Sequence, residues 1–151
     1  MAPVASGIFV AEIPVRFAHC DPAGIVFYPR YFEMFNSVVE DWCAEGLGVG
    51  FRELHLGQGL GLPTAHIETD FSVPSQLGDV LRAELSVQKL GGASITLSIR
   101  LLGPDGGQRV KSELVLVMMD LQRQRAVPIP DTLRERMRAF CTTDQKNEKG
   151  K

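Results

Sequence analysis

Only one long stretch of this chain carries a helical period; most of the rest alternates apolar and polar residues with a period of two. That alternation limits the fold more than any other feature, because such a strand buries one face and leaves the other wet. In the first stretch, Ile8 to Phe17, Phe9, Ala11, Ile13, Val15 and Phe17 share one parity. Pro14 lacks an N–H for the ladder, so an edge position or a bulge is expected there. Ala65, Ile67, Thr69, Phe71 and Val73 form a second run, opposite His66, Glu68, Asp70 and Ser72. Leu81 to Val87 and Ala93 to Leu101 follow, joined at Gly91-Gly92, which reads as a hairpin turn. After the turn Gly103-Pro-Asp-Gly-Gly107, Val110 to Met119 becomes continuously apolar from Leu114. A strand covered on both faces is expected there.

The helical period runs from about Pro29 to Leu47. Tyr31, Phe32, Phe35, Val38, Val39, Trp42 and Cys43 fall on one stripe. Pro29 suits the first helical position, where its missing N–H costs nothing. Gly46 and Gly48 end the run. Residues 49–62 are turn-rich, with a short helical piece expected around Phe51–Leu56. A short amphipathic helix is expected at Pro130–Phe140. Thr142–Lys151 is polar and reads as a disordered tail. The order predicts an α+β architecture: an antiparallel five-stranded sheet wrapped around one long, aromatic helix, in a single domain over residues 1–141.

The chain has 151 residues, which suits one domain with a core of its own. Lys+Arg 16 against Asp+Glu 18 gives a net charge of −2. That lacks the basic excess of an electrostatic nucleic-acid binder, so no nucleic-acid partner is expected. Cys20, Cys43 and Cys141 are widely spaced, with no C-x-x-C, and no two histidines have metal-ligand spacing. No metal and no cofactor are expected. The first ten residues hold no Lys or Arg, and no run of about 18 apolar residues occurs, so a cytoplasmic chain outside the membrane is expected.

The most informative segment is His19-Cys20-Asp21-Pro22-Ala23-Gly24-Ile25-Val26-Phe27-Tyr28-Pro29, between the first strand and the helix start. A helix N-terminus presents unpaired N–H groups that can hold a developing oxyanion. A carboxylate beside it can act as base or nucleophile. An Asp-Pro turn, with Asp21 bonding its own backbone, is the competing reading.

Asp21 to Tyr31 resembles the signature of the 4-hydroxybenzoyl-CoA thioesterase family, and the resemblance extends over about residues 8–140. It implies the hot-dog fold, in which a curved sheet wraps a long helix. It also implies an acyl-CoA substrate, hydrolysed to free acid and CoA, with a small aromatic acyl group of the 4-hydroxybenzoyl or benzoyl type. Asp21 matches the catalytic carboxylate that attacks the thioester or activates water. The backbone N–H of Tyr28 matches the oxyanion donor, and Gly24 lets the loop approach the acyl group. Phe27, Tyr31, Asn36 and His66 are candidate contacts to the acyl group. Asn36 stands where an aryl-CoA member of the family carries an acidic residue. Lys89 alone occupies the hairpin position of that member's CoA-binding basic cluster; Arg123 and Arg125 form a second basic site near a turn. The active site of this family lies between subunits, which implies a homodimer or a dimer of dimers.

Other readings stay open. The chain is also similar to fatty acyl-CoA thioesterases linked to the Tol-Pal system, although those usually carry a His where Tyr28 stands. A non-catalytic acyl-CoA-binding module on the same fold is the alternative from another class; a hydratase would need a paired Asp and His. A Cys20–His19–Asp21 triad is disfavoured, because adjacent strand residues point to opposite faces.

Overall fold

A computed structural model describes residues 7–142. The tail beyond Thr142 lies outside the described residues. Strand β1 (Phe9–Pro14) leads through a loop to helix α1 (Pro29–Asp41). Strands β2 (Leu60–Gly61), β3 (Thr64–Phe71), β4 (Val80–Leu90), β5 (Ser94–Leu102), β6 (Gln108–Val117), β7 (Met119–Asp120) and β8 (Arg125–Ala126) follow, and α2 (Asp131–Arg138) closes the order. The main sheet has the order β1-β4-β5-β6-β3, and its pairs are antiparallel. Its five strands and its single long helix are the expected α+β arrangement. A small sheet, β2-β7-β8, was not expected from the sequence; its two-residue strands are too short to show a period.

The core lies between α1 and one face of the sheet. Tyr31, Met34, Phe35, Val38 and Val39 point inward from α1. Leu81, Ala83, Leu85 and Val87 of β4 and Ile95, Leu97, Ile99 and Leu101 of β5 meet them, all fully buried. Burial of such side chains stabilises by about 1.5–3 kcal/mol each. Past Asp41 the helix widens over Trp42–Gly46, and the Leu47 N–H reaches back to the Trp42 carbonyl at 2.9 Å. Trp42 meets Phe140 edge to face at 5.8 Å. Gly46 allows this packing, since a Cβ there would lie 2.8 Å from Trp42 Cδ1 and 3.0 Å from Phe140 Cζ. Arg136 Nη1 donates to the Leu47 carbonyl at 2.6 Å and so caps the helix end from α2.

Three strand readings need correction. The first strand stops at Pro14, on the sheet edge, and Phe17 enters a short 3-10 turn where it is 82% exposed. Pro14 and that turn end the ladder before the parity reaches Phe17. Val115 and Val117 of β6 are half-buried instead of covered, because α1 packs on one sheet face only. β3 is exposed along nearly all its length, because it forms the outer edge of the sheet, where Phe71 at its end meets Tyr31 and Phe32 of α1.

Candidate active site

The loop from His19 to Tyr28 is tied at several points. Cys20 bridges Val26 as an isolated antiparallel pair. The Asp21 N–H donates to the Ile25 carbonyl at 3.0 Å, and the Gly24 N–H donates to the Asp21 carbonyl at 2.9 Å. Asp21 Oδ1 accepts the Ala23 N–H at 2.9 Å, which is the Asx turn that the Asp-Pro pattern allows. Oδ2 carries no bond among the described residues. The turn and a free carboxylate oxygen therefore coexist. Gly24 sits at φ +80°, which favours glycine. A Cβ there would meet nothing within 4 Å, so this glycine serves the turn and leaves the space beside it open.

Tyr28 is the N-cap of α1 and Pro29 its first helical residue. The Tyr28 N–H meets no acceptor among the described residues. It stands at the positive end of the helix dipole and next to the Asp21 loop in the chain. Its side chain is 60% exposed.

A cavity of about 310 Å³ opens beside this helix start. Ile25, Val26, Tyr28 and Tyr31 line one side; Phe71 to Pro74, with Val110, line the other. The Phe71 ring lies 6.1 Å from Tyr28, 5.8 Å from Tyr31 and 6.5 Å from Phe32. The volume is at the lower end of the roughly 300–1,000 Å³ range of small-molecule sites. The walls are aromatic and aliphatic, and Tyr28, whose N–H is unpaired, is one of them. Such a site can hold a flat apolar group beside the helix start and the loop that carries Asp21.

Tyr28 and Tyr31 line the cavity; Asp21 and Gly24 do not, but they belong to the loop whose Ile25 and Val26 do. Phe27 is exposed, its ring 5.7 Å from Tyr28, and it does not line the cavity. Asn36 is exposed on the helix row that runs through Tyr28 and Phe32, one turn further on. His66 is not brought to the cavity. It bonds Glu68 at 3.1 Å, two residues along β3, on the sheet face opposite Thr69, whose hydroxyl meets buried Ser112. Lys89 is exposed at the far end of β4. The Asp21 loop lies at the near end, since the neighbouring segment Val15–Asp79 leads into Val80. The strand rise puts about 30 Å between the two ends. Arg134, which sequence reasoning did not single out, reaches the β4–β5 hairpin, but it is engaged with the Gly91 and Gly92 carbonyls at 2.7 and 2.9 Å. Arg123 and Arg125 stand exposed around the β7–β8 turn.

Sequence reasoning also missed Phe71 as a cavity residue. Its strand-end place before Ser72-Val73-Pro74 was the available signal. His19 and Cys20 turn back onto Arg16: His19 Nδ1 accepts the Arg16 N–H at 2.9 Å, and Cys20 Sγ donates to the Arg16 carbonyl at 3.5 Å. No side-chain bond joins either to Asp21, so the geometry forms no Cys-His-Asp chain. No group of three or more His, Cys, Asp or Glu is placed to hold a metal among the described residues. Among the described residues, no helix is long and apolar enough to cross a membrane.

A sheet wrapped on one long helix, with a carboxylate loop leading into that helix, defines a hot-dog protein of the thioesterase type. The chain belongs to the thioesterase-like superfamily, whose family model matches residues 15–137, and it is a thioester hydrolase of that family. It is 32% identical over 120 residues to a 1,4-dihydroxy-2-naphthoyl-CoA hydrolase of Thermosynechococcus vestitus, with 79% of this chain and 81% of that one covered. A 4-hydroxybenzoyl-CoA thioesterase of Pseudomonas sp. is 25% identical, with 77% and 87% covered. In fold, the chain is similar to the crystal structure of a 1,4-dihydroxy-2-naphthoyl-CoA thioesterase from Synechocystis. That match has a TM-score of 0.78 and 19% identity, and it covers 86% of this chain and 95% of that one.

Proposed function

We propose that this enzyme hydrolyses the CoA thioester of a small aromatic acid, of the benzoyl, hydroxybenzoyl or hydroxynaphthoyl type, in the cytoplasm. The observation that carries this reading is the cavity ringed by Tyr28, Tyr31 and Phe71 beside the unpaired Tyr28 N–H. Aromatic walls suit a flat ring, because offset and edge-on ring contacts add to plain burial. The names of the relatives support an aromatic acyl group. Asn36 continues the Tyr28–Phe32 row and offers an amide to a ring hydroxyl.

In this reading the thioester carbonyl oxygen sits on the Tyr28 N–H. Asp21 Oδ2 either attacks the carbonyl carbon or takes a proton from an attacking water. In the first case an acyl-aspartyl anhydride forms, CoA leaves as the thiolate, and water cleaves the anhydride. In the second the tetrahedral intermediate collapses directly to acid and thiolate. The oxyanion is held by the helix N-terminus in both.

A second copy of the chain completes the site. The free edge of β3 supports this, since an unpaired edge is a template for strand addition. Ile67 and Phe71 are partly exposed on it. A Lys89 contact to CoA would come from the partner, given its distance from the loop of its own chain.

The test is free-thiol release from a panel of benzoyl-, 4-hydroxybenzoyl-, hydroxynaphthoyl- and decanoyl-CoA. The aromatic esters should exceed decanoyl-CoA in kcat/KM by about tenfold or more. Preference for the fatty ester would overturn the substrate class. Tight binding without hydrolysis would instead support the acyl-CoA-binding module.

A further inference from the structure

Ser72, Val73 and Pro74 line the cavity, and the Asp21 loop hangs from the chain that follows them, Ser75 to Asp79. The Val26 N–H donates to the Ser75 carbonyl at 2.9 Å, and the Leu77 N–H donates to the Gly24 carbonyl at 3.0 Å. Ile25 and Gln76 pair as an antiparallel bridge between these bonds. The loop's placement beside the cavity therefore depends on residues 75–77. That segment lies outside the sheet, so something must hold it there.

Arg109, near the start of β6, is that element. Its Nη1 donates to the Pro74 carbonyl at 3.1 Å and to Asp79 Oδ2 at 3.0 Å, with Ser75 Oγ at 3.5 Å. Asp79 Oδ2 also accepts the Gln76 N–H at 2.9 Å. The Arg109 carbonyl takes the Ser72 N–H at 2.9 Å. One residue thus holds both ends of the wall. The Arg109 and Asp79 side chains are only 13% and 22% exposed, and Ser75 is fully buried. Asp105 Oδ1 stands 3.9 Å from Nη2 and adds a second acidic neighbour. Gly103 makes the room: a Cβ there would collide with the Arg109 guanidinium. A planar guanidinium seated in this glycine-cleared slot is not matched in shape by a lysine ammonium.

We infer that Arg109 is a positioning residue for hydrolysis: through Pro74, Ser75 and Asp79 it holds the wall that sets Asp21 and the Tyr28 N–H against the cavity. This rests on the thioesterase reading of that cavity. Arg109 touches no reacting atom in it. Its removal should misplace the loop while leaving the aromatic walls able to bind.

The test compares wild type, Arg109→Lys, Arg109→Gln and Gly103→Ala, with kcat and KM on the best aromatic ester. Amide hydrogen exchange is read over 22–28 and 72–79, with 95–101 as the core reference. Arg109→Gln should lose about 10- to 100-fold in kcat, as misplacement by about 1 Å can do, with KM within about threefold. Exchange should rise in 22–28 and 72–79 and hold in 95–101. Arg109→Lys should fall between wild type and Arg109→Gln. A folded Arg109→Gln with kcat within about twofold of wild type would overturn the inference, and so would a kcat loss with unchanged loop exchange. If Arg109→Gln does not fold, Gly103→Ala carries the test, because it crowds the guanidinium and keeps its charge. The same pattern is expected there, and wild-type kcat with wild-type loop exchange would overturn the inference. Should wild type cleave no ester of the panel, the thioesterase reading fails, and loop exchange alone then decides the clamp.

Discussion

Asp21 and Ile25 are tied across their loop, the Asp21 N–H donating to the Ile25 carbonyl at 3.0 Å. The bond fixes the Asp21 backbone while one carboxylate oxygen stays without a partner. Four residues past this tie, Pro29 opens the helix, and the N–H just before it is unpaired. A carboxylate and a donor are thus held by one short stretch of chain.

The backbone donor can be removed without touching the carboxylate. Tyr28 lies at φ −52°, which a proline ring accepts. Tyr28→Pro deletes the N–H; Tyr28→Phe keeps it and deletes only the hydroxyl. Steady-state assays should show a loss of about 10²–10³ in kcat for Tyr28→Pro, the usual cost of an oxyanion donor, and a far smaller change for Tyr28→Phe. Equal losses would assign the role to the side chain.

In the proposed dimer the second copy pairs along the β3 edge. The Ser72 N–H points at β6, so alternation turns the N–H groups of Phe71, Thr69 and Ile67 to the open edge. Ile67→Lys replaces an exposed apolar side chain of that edge with a charge, which blunts strand pairing. Sedimentation should give a dimer for wild type and a shift to monomer for the variant, with hydrolysis falling in step. A monomeric, active wild type would remove the partner from the site.

The thiols should separate by environment. Burial, with Glu40 adding, pushes the Cys43 thiol up to about 12, and Cys141 is also buried. Cys20 is only half-buried. Since the thiolate is the reactive form, a thiol reagent should modify Cys20 first and leave Cys43 untouched until the chain unfolds. Uniform fast modification of all three would contradict this packing.

Acid should release the wall of the cavity. The Gln76 N–H holds the Asp79 carboxyl below its ordinary 3.8; desolvation opposes this, and Arg109 adds to the lowering. A depressed carboxyl contributes stability that is present above its unfolded value and is lost as pH falls through the folded one. Urea unfolding should therefore show Asp79→Asn less stable than wild type near neutral pH. The gap should close as pH drops below 3.8. A gap that persists in acid would assign the effect to packing.

Much of this molecule is readable from periodicity. Leu81, Ala83, Leu85 and Val87 alternate in sequence and are buried in the structure, and the stripe from Tyr31 to Cys43 is the helix side of the core. What periodicity cannot carry is position across the sheet. Ala65, Ile67 and Phe71 have the right parity, yet β3 is the outer edge strand and stays exposed even where Phe71 meets Tyr31 and Phe32, and only the strand order reveals it. Phe17 failed for a local reason, since Pro14 ends the ladder. Asp21 and Tyr28 were legible because the turn and the helix start are encoded by neighbouring residues. Phe71 and Arg109 were not, because each meets the loop only through contacts distant in the chain.

The central claim is that the free oxygen of Asp21 drives hydrolysis. Asp21→Asn keeps the Asx-turn acceptor and removes the charge. On the best aromatic acyl-CoA, with folding checked by circular dichroism, kcat should fall by about 10²–10⁴, the usual contribution of a positioned base or more. Single turnover of wild type in ¹⁸O-water then reports the nucleophilic route, since label in the Asp21 carboxylate requires an acyl-aspartyl intermediate cleaved by water at the aspartyl carbonyl. A folded Asp21→Asn enzyme that turns over at the wild-type rate would contradict the account.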